Sequence, residues 1–178
     1  MPRRAHPEGN PDLRGILVTI AIGCCIAAVS GNALVLAEAG RIPFPSGYRD
    51  WTHVKSGLID DPAHPAFARY GGVHHIYANP KAMTGYRTGN FPDGAILVYD
   101  LHTLVPLPDG SIDQGERRHL DVMVKDRARF AETRGWGYEE FLASAPQTPT
   151  LTPKAQAGCA ACHAARRAHG DVFSEYRE

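Results

Sequence analysis

Five residues near the C-terminus, Cys159-Ala160-Ala161-Cys162-His163, form a C-x-x-C-H pattern, the attachment signature of a c-type haem. On a helix Cys159 and Cys162 lie three apart and His163 lies four from Cys159, so two sulfurs and one imidazole emerge on nearly one face. Two thioether bonds then fix a porphyrin edge beneath its iron ligand. Cys159 and Cys162 are therefore candidate cofactor-binding residues, His163 is the candidate metal ligand, and one covalently attached haem c is the expected cofactor. A reduced C-x-x-C pair or half of a zinc site would use the same residues. The chain, however, has no second C-x-x-C pair and no βαβ pattern around this one.

The motif needs a helix to carry it. Thr152 followed by Pro153 reads as an N-cap with proline at the first helical position, and the residues on both sides of the cysteines are mostly good helix formers. Lys154 is read as a helix-start residue.

The chain has 178 residues, with 19 basic and 19 acidic side chains and no long run of one sign. Neither nucleic acid nor an anionic membrane surface is expected as a partner. Arg3, Arg4 and Arg14 precede an apolar stretch from Ile16 to Val29, and Ala37-Glu38-Ala39 offers a small-residue cleavage site. Residues 1–39 thus read as a signal peptide. Extended through Leu36 the tract reaches roughly twenty residues, enough to span a bilayer, so an N-terminal membrane anchor helix is the alternative. Cys24 and Cys25 fall inside it and read as small apolar residues rather than a lipid-anchor site. A leader followed by a covalently attached haem fits a chain exported unfolded to the periplasm. Residues 41–178 form the expected single haem c domain.

Between leader and haem helix, short runs alternate in period two, separated by Gly, Pro, Asn and Asp clusters. Strands are expected at Trp51 to Ile59, Gly72 to Ala78, Ala95 to Leu104, His119 to Val124 and Tyr138 to Leu142. A short helix is expected over Lys81 to Arg87 behind Asn79-Pro80, and a helical turn over Lys125 to Glu132. About five strands with short turns imply an α+β fold: an antiparallel sheet with packed helices and a C-terminal haem-attachment helix.

Four blocks carry a resemblance: Pro45-Ser-Gly-Tyr48-Arg49-Asp50-Trp51, His75-Ile-Tyr77-Ala-Asn79-Pro80, Gly89-Asn-Phe91-Pro-Asp93-Gly94 and the terminal Cys-Ala-Ala-Cys-His. In this order they resemble the cytochrome P-460 family over essentially the whole of Arg41 to Tyr176. The resemblance implies a homodimeric periplasmic monohaem protein on an antiparallel sheet, with five-coordinate iron and an open distal side. It implies oxidation of hydroxylamine, with electrons passed to a soluble redox partner. The alternative is the non-catalytic binding of nitric oxide or other gases seen in the related cytochromes c′-beta; a simple electron-transfer cytochrome c is the third.

The family's name-giving members carry a lysine bonded to a haem meso carbon. Counting from the Asp93-Gly94 turn puts Tyr99 at that position, so the resemblance makes Tyr99 a candidate catalytic and cofactor-contacting residue. The reading is of a free phenol beside the ring, with a crosslinked phenol as the rival. By the same alignment of blocks, His74 stands where the family has a distal arginine and is the candidate polar group of the distal site. A strand histidine bonded to backbone or solvent is the rival reading.

Met83 and Met123 are read as core residues rather than sixth ligands. His53, His64, His102, His119 and His169 lack metal-ligand spacing and are read as surface or strand residues, with no second metal expected. Trp51 and Trp136 are read as core aromatics. Which of Asp100, Glu139 and Glu140 faces the haem is not legible from the pattern.

Overall fold

The computed structural model describes residues 40–177. The leader or anchor expected over residues 1–39, with Cys24 and Cys25, lies outside the described residues.

Five strands form one antiparallel sheet in chain order: β1 (Thr52–Ile59), β2 (Gly72–Ala78), β3 (Ile96–Pro106), β4 (Ile112–Lys125) and β5 (Trp136–Leu142). Among the described residues three α-helices accompany it: α1 (Phe67–Tyr70), α2 (Pro80–Thr88) and α3 (Pro153–His163), the last continued by a 3-10 stretch, Ala164–His169. This is the expected α+β sheet with a C-terminal helix. Because side chains alternate along each strand, the sheet builds two cores. One face gathers Ile76, Ala78, Leu97, Trp136 and Tyr138, with Ala82 and Met83 of α2, Phe91 and Val172. The other gathers Val98, Leu120, Val122 and Phe141 with Ile42 and Tyr48.

One side chain ties α2 to the sheet. Asn79 Oδ1 accepts from Ala82 N (2.8 Å) and Ile96 N (3.0 Å), while its Nδ2 donates to Gly94 O (2.9 Å). It caps the helix and anchors the first residue of β3 at once. Gly85 leaves room for Phe91, whose ring would clash with a Cβ there. Gly89 ends the helix at φ 74°, a left-handed C-cap.

Two expectations are corrected. Lys125 to Glu132 is helical only for isolated turns: β4 runs through Lys125, and Asp126 then caps one turn, its Oδ1 accepting from Ala128 N and Arg129 N and its carbonyl from Phe130 N (3.0 Å). Ala131–Thr133 then winds into a 3-10 turn. The fourth strand begins at Ile112 rather than His119, because Asp113 to Arg118 pair with the end of β3 beyond the core, where neither face is apolar and alternation carries no signal. The short helix α1 and a 3-10 turn at Tyr48–Asp50 have no periodic signature at four and three residues.

Asp100 faces the second core. It is 1% exposed, accepts from Tyr48 Oη (2.5 Å), Arg117 Nε (2.7 Å) and Arg49 Nη2 (3.2 Å), and binds the N-terminal segment to the sheet. Burial alone would raise its carboxyl; the bonds from Arg117 and Tyr48 hold it down at about 2. Asp100 is therefore a permanently ionised structural group on the face away from α3.

Candidate functional site

Helix α3 is built as its sequence implies. The Thr152 side chain accepts from Ala155 N (3.3 Å) and Pro153 occupies the first turn. The approach to the helix is clamped from β5: Glu139, 1% exposed, accepts through Oε1 from the backbone N–H groups of Glu140 (3.1 Å), Thr150 (3.1 Å) and Leu151 (2.8 Å). Glu139 therefore fixes where α3 starts.

Cys159 and Cys162 are both free thiols, the first half-buried against the α2-side core and the second exposed. Burial, and then the nearby Asp121 carboxylate, push the Cys159 thiol up. Redox C-x-x-C pairs work through a lowered thiol pKa, so this pair is poorly suited to disulfide exchange. A cleft of about 260 Å³ opens along it, lined by Arg69, Tyr70, Leu151, Ala155, Cys159 and Cys162.

His163 ends the helix with its ring between Tyr138 (centroids 5.1 Å apart) and Phe173 (4.9 Å). Its Nδ1 lies 2.8 Å from the carbonyl oxygen of Asp171. A carbonyl only accepts, so Nδ1 carries the proton and Nε2 is left as the lone-pair nitrogen, the tautomer an imidazole needs to bind a metal. Burial lowers the pKa of His163 and so favours that neutral form.

The accepting carbonyl is itself held. Gly170 (φ 68°) and Asp171 (φ 65°) are consecutive left-handed residues. Trp136 Nε1 donates to Gly170 O (2.8 Å), Arg134 Nε donates to Asp171 Oδ2 (2.9 Å), and Lys125 Nζ donates to Arg134 O (2.8 Å) while lying over the Trp136 ring. Trp136 is thus more than a core aromatic. Phe173 also lines a second cleft, of about 540 Å³, with Val54, Lys55, Arg166, Glu175 and Arg177.

On the same sheet face, the register brings His74, Tyr99 and Asp121 to adjacent strands: His74 pairs with Leu101 and Tyr99 with Asp121. His74 and Tyr99 are brought together as a stacked pair, 4.5 Å between centroids and 21° between planes. Tyr70 meets Tyr99 edge-on at 5.7 Å. Burial, then Lys55 and His75, depress His74 to about 4, so it is neutral at pH 7; its buried Nδ1 has no hydrogen-bond partner among the described residues. Burial, then Asp121, push the Tyr99 phenol well above its ordinary range. His75 points the other way and bonds Ser56 (2.7 Å) and Gln114 (2.5 Å).

Met83 is buried in α2, and Met123 packs against the same core from β4. Glu140 faces the Tyr99 side, where Arg69 Nη2 reaches its Oε2 at 2.7 Å. Sequence reasoning missed Tyr70, Arg69, Asp121 and Asp171. Only Asp121 had a signal, its place in the alternation of a half-buried strand.

The donor set suits a stapled haem: two free thiols one helical turn apart, an imidazole with Nε2 free, and an orphaned imidazole nitrogen on the sheet that packs against their helix. Residues 45–174 match the family model described as cytochrome P-460. No curated protein matches the chain.

Proposed function

From its place in the cytochrome P-460 family, to which the chain belongs, we propose that the protein carries one covalently attached haem c and oxidises a small nitrogenous molecule such as hydroxylamine. Membership itself makes it a haem-binding cytochrome. In our reading Cys159 and Cys162 carry the two thioethers and His163 Nε2 is the proximal ligand. Lys55, Arg166 and Arg177, around the cleft that reaches His163 through Phe173, supply positive charge for the propionates. When bound, the haem supplies a coordination position for nitrogen and an electron acceptor.

The protein's own part is to hold the ring, restrict access and take protons. Each electron removed from hydroxylamine releases a proton from an N–H or O–H bond, so the site needs a nearby acceptor. His74, neutral and with a partnerless Nδ1, is that group in this proposal. Tyr99, kept as a phenol by burial, walls the site and orients His74 by stacking. Electrons leave to a soluble redox partner. Export to the periplasm, by a cleaved signal peptide or an inner-membrane anchor, follows from the reading of residues 1–39. A homodimer suits the exposed Val105, Leu107 and Ile112 around the β3–β4 turn.

The observation that carries the proposal is the hydrogen bond from His163 Nδ1 to Asp171 O, which leaves Nε2 as the lone-pair nitrogen available to a metal, beside two free thiols. The rival, a gas-binding protein without turnover, is favoured by Tyr99 standing where the family's crosslinking lysine is expected. Hydroxylamine added to the holoprotein with an acceptor dye separates the two. Catalytic dye reduction supports the oxidase; nitric oxide binding with no dye reduction replaces it with the gas binder.

A further inference from the structure

Asp121 and Glu140 are direct cross-strand partners on β4 and β5 and project from the same face. Like charges placed opposite each other destabilise a sheet unless a cation joins them. Beside them His119, 6% exposed, directs Nε2 to within 3.6 Å of Asp121 Oδ2, too far for a hydrogen bond, and that nitrogen has no other partner among the described residues. A buried imidazole left without a partner costs free energy that a ligand would recover.

We propose that His119, Asp121 and Glu140 form a binding site for a divalent first-row metal ion such as zinc, beside the cleft that runs along Cys159 and Cys162. The three residues offer one nitrogen and two oxygens, all within 4.8 Å of one another, a spread that small rotamer changes bring onto one ion. One imidazole with two carboxylates selects zinc, manganese or iron over magnesium or calcium, which prefer all-oxygen sites. Three protein ligands leave positions for solvent or a substrate.

Arg69 occupies the charge-balancing role in this conformation. Its guanidinium lies 2.7 Å from Glu140 Oε2 and 3.9 Å from Asp121 Oδ1. The arm is 47% exposed and lines the cleft along Cys159 and Cys162, so it has an open path out when an ion enters. Metal and guanidinium thus compete for the same oxygens. The ligands come from two strands, with His119 and Asp121 two apart on β4, which is why linear spacing gave no metal signal.

The proposal does not draw on the haem chemistry, so each can fail alone. The test is calorimetric titration of metal-stripped holoprotein with zinc chloride, with haem absorbance checked in every variant. Wild type should bind one zinc per chain and show no comparable heat with magnesium. His119→Ala and the near-isosteric Glu140→Gln should each weaken binding at least about tenfold, and Arg69→Gln should tighten it. No zinc binding by wild type, or binding unchanged in both ligand variants, or weaker binding in Arg69→Gln, would overturn the proposal.

Discussion

The imidazole of His74 lies flat against the phenol of Tyr99, 4.5 Å between ring centroids and 21° between planes. The contact joins the two residues through their rings, not through the phenolic hydroxyl. Tyr99→Phe should therefore keep the stack and leave the ferrous Soret band of the holoprotein nearly unchanged. The haem peptide of wild type should show no mass for a bond to Tyr99. A large spectral shift in the variant would show that the phenol acts on the porphyrin.

His74 also makes stability depend on pH. Its pKa is lowered from 6.5 unfolded to about 4 folded, chiefly by burial. Between those values the unfolded chain binds more protons, so stability is fully present above pH 6.5 and falls as pH drops toward 4. His74→Phe should flatten that slope. Denaturant midpoints of wild type and variant across this window measure the difference directly; parallel curves would contradict the assignment.

Asp171 combines a left-handed backbone at φ 65° with an ion pair to Arg134. Asp171→Asn should be mild, since asparagine tolerates that conformation, whereas Asp171→Val adds backbone strain of about 1–2 kcal/mol. The valine variant should also disturb the turn that orients His163. Denaturation of the two variants side by side, with the haem spectrum as second readout, checks the ranking.

Glu139→Ala leaves the backbone N–H groups of Glu140 and Leu151 without their acceptor, while Thr150 N keeps its second one, Glu140 O. At about 1–3 kcal/mol per buried unsatisfied group, the loss should be several kcal/mol, while Glu139→Gln, which keeps one accepting oxygen, should lose much less. Urea midpoints, with proteolysis between residues 143 and 152 as a local probe, report whether the start of α3 is what loosens.

The parts of this arrangement that were legible in the sequence are those written in local pattern. Gly72–Ala78 alternates and is β2 to the residue, and Thr152-Pro153 announces α3. His74 and His75 are read onto opposite faces because a strand alternates, and the stack of His74 on Tyr99 then follows from the β2–β3 register. What was not legible depends on pairing between distant segments. Asp171 becomes a hydrogen-bond partner only because Trp136 and Arg134 hold its turn, and Glu139 becomes a clamp only when residues 150–151 pass beside it. Glu140 and Asp121 meet through strand register, which no single segment encodes. The four-residue helix α1, which brings Arg69 and Tyr70 to the cleft, is too short for a periodic signal.

The most direct test of the account is an intact-mass and absorbance measurement on the chain produced in a host that matures c-type cytochromes. The expected result is one haem added per chain, retained under denaturing conditions, and lost from a variant with Cys159 and Cys162 both replaced by alanine. A colourless protein of unmodified mass, or a haem that extracts freely from wild type, would contradict attachment through Cys159 and Cys162 with His163 as ligand.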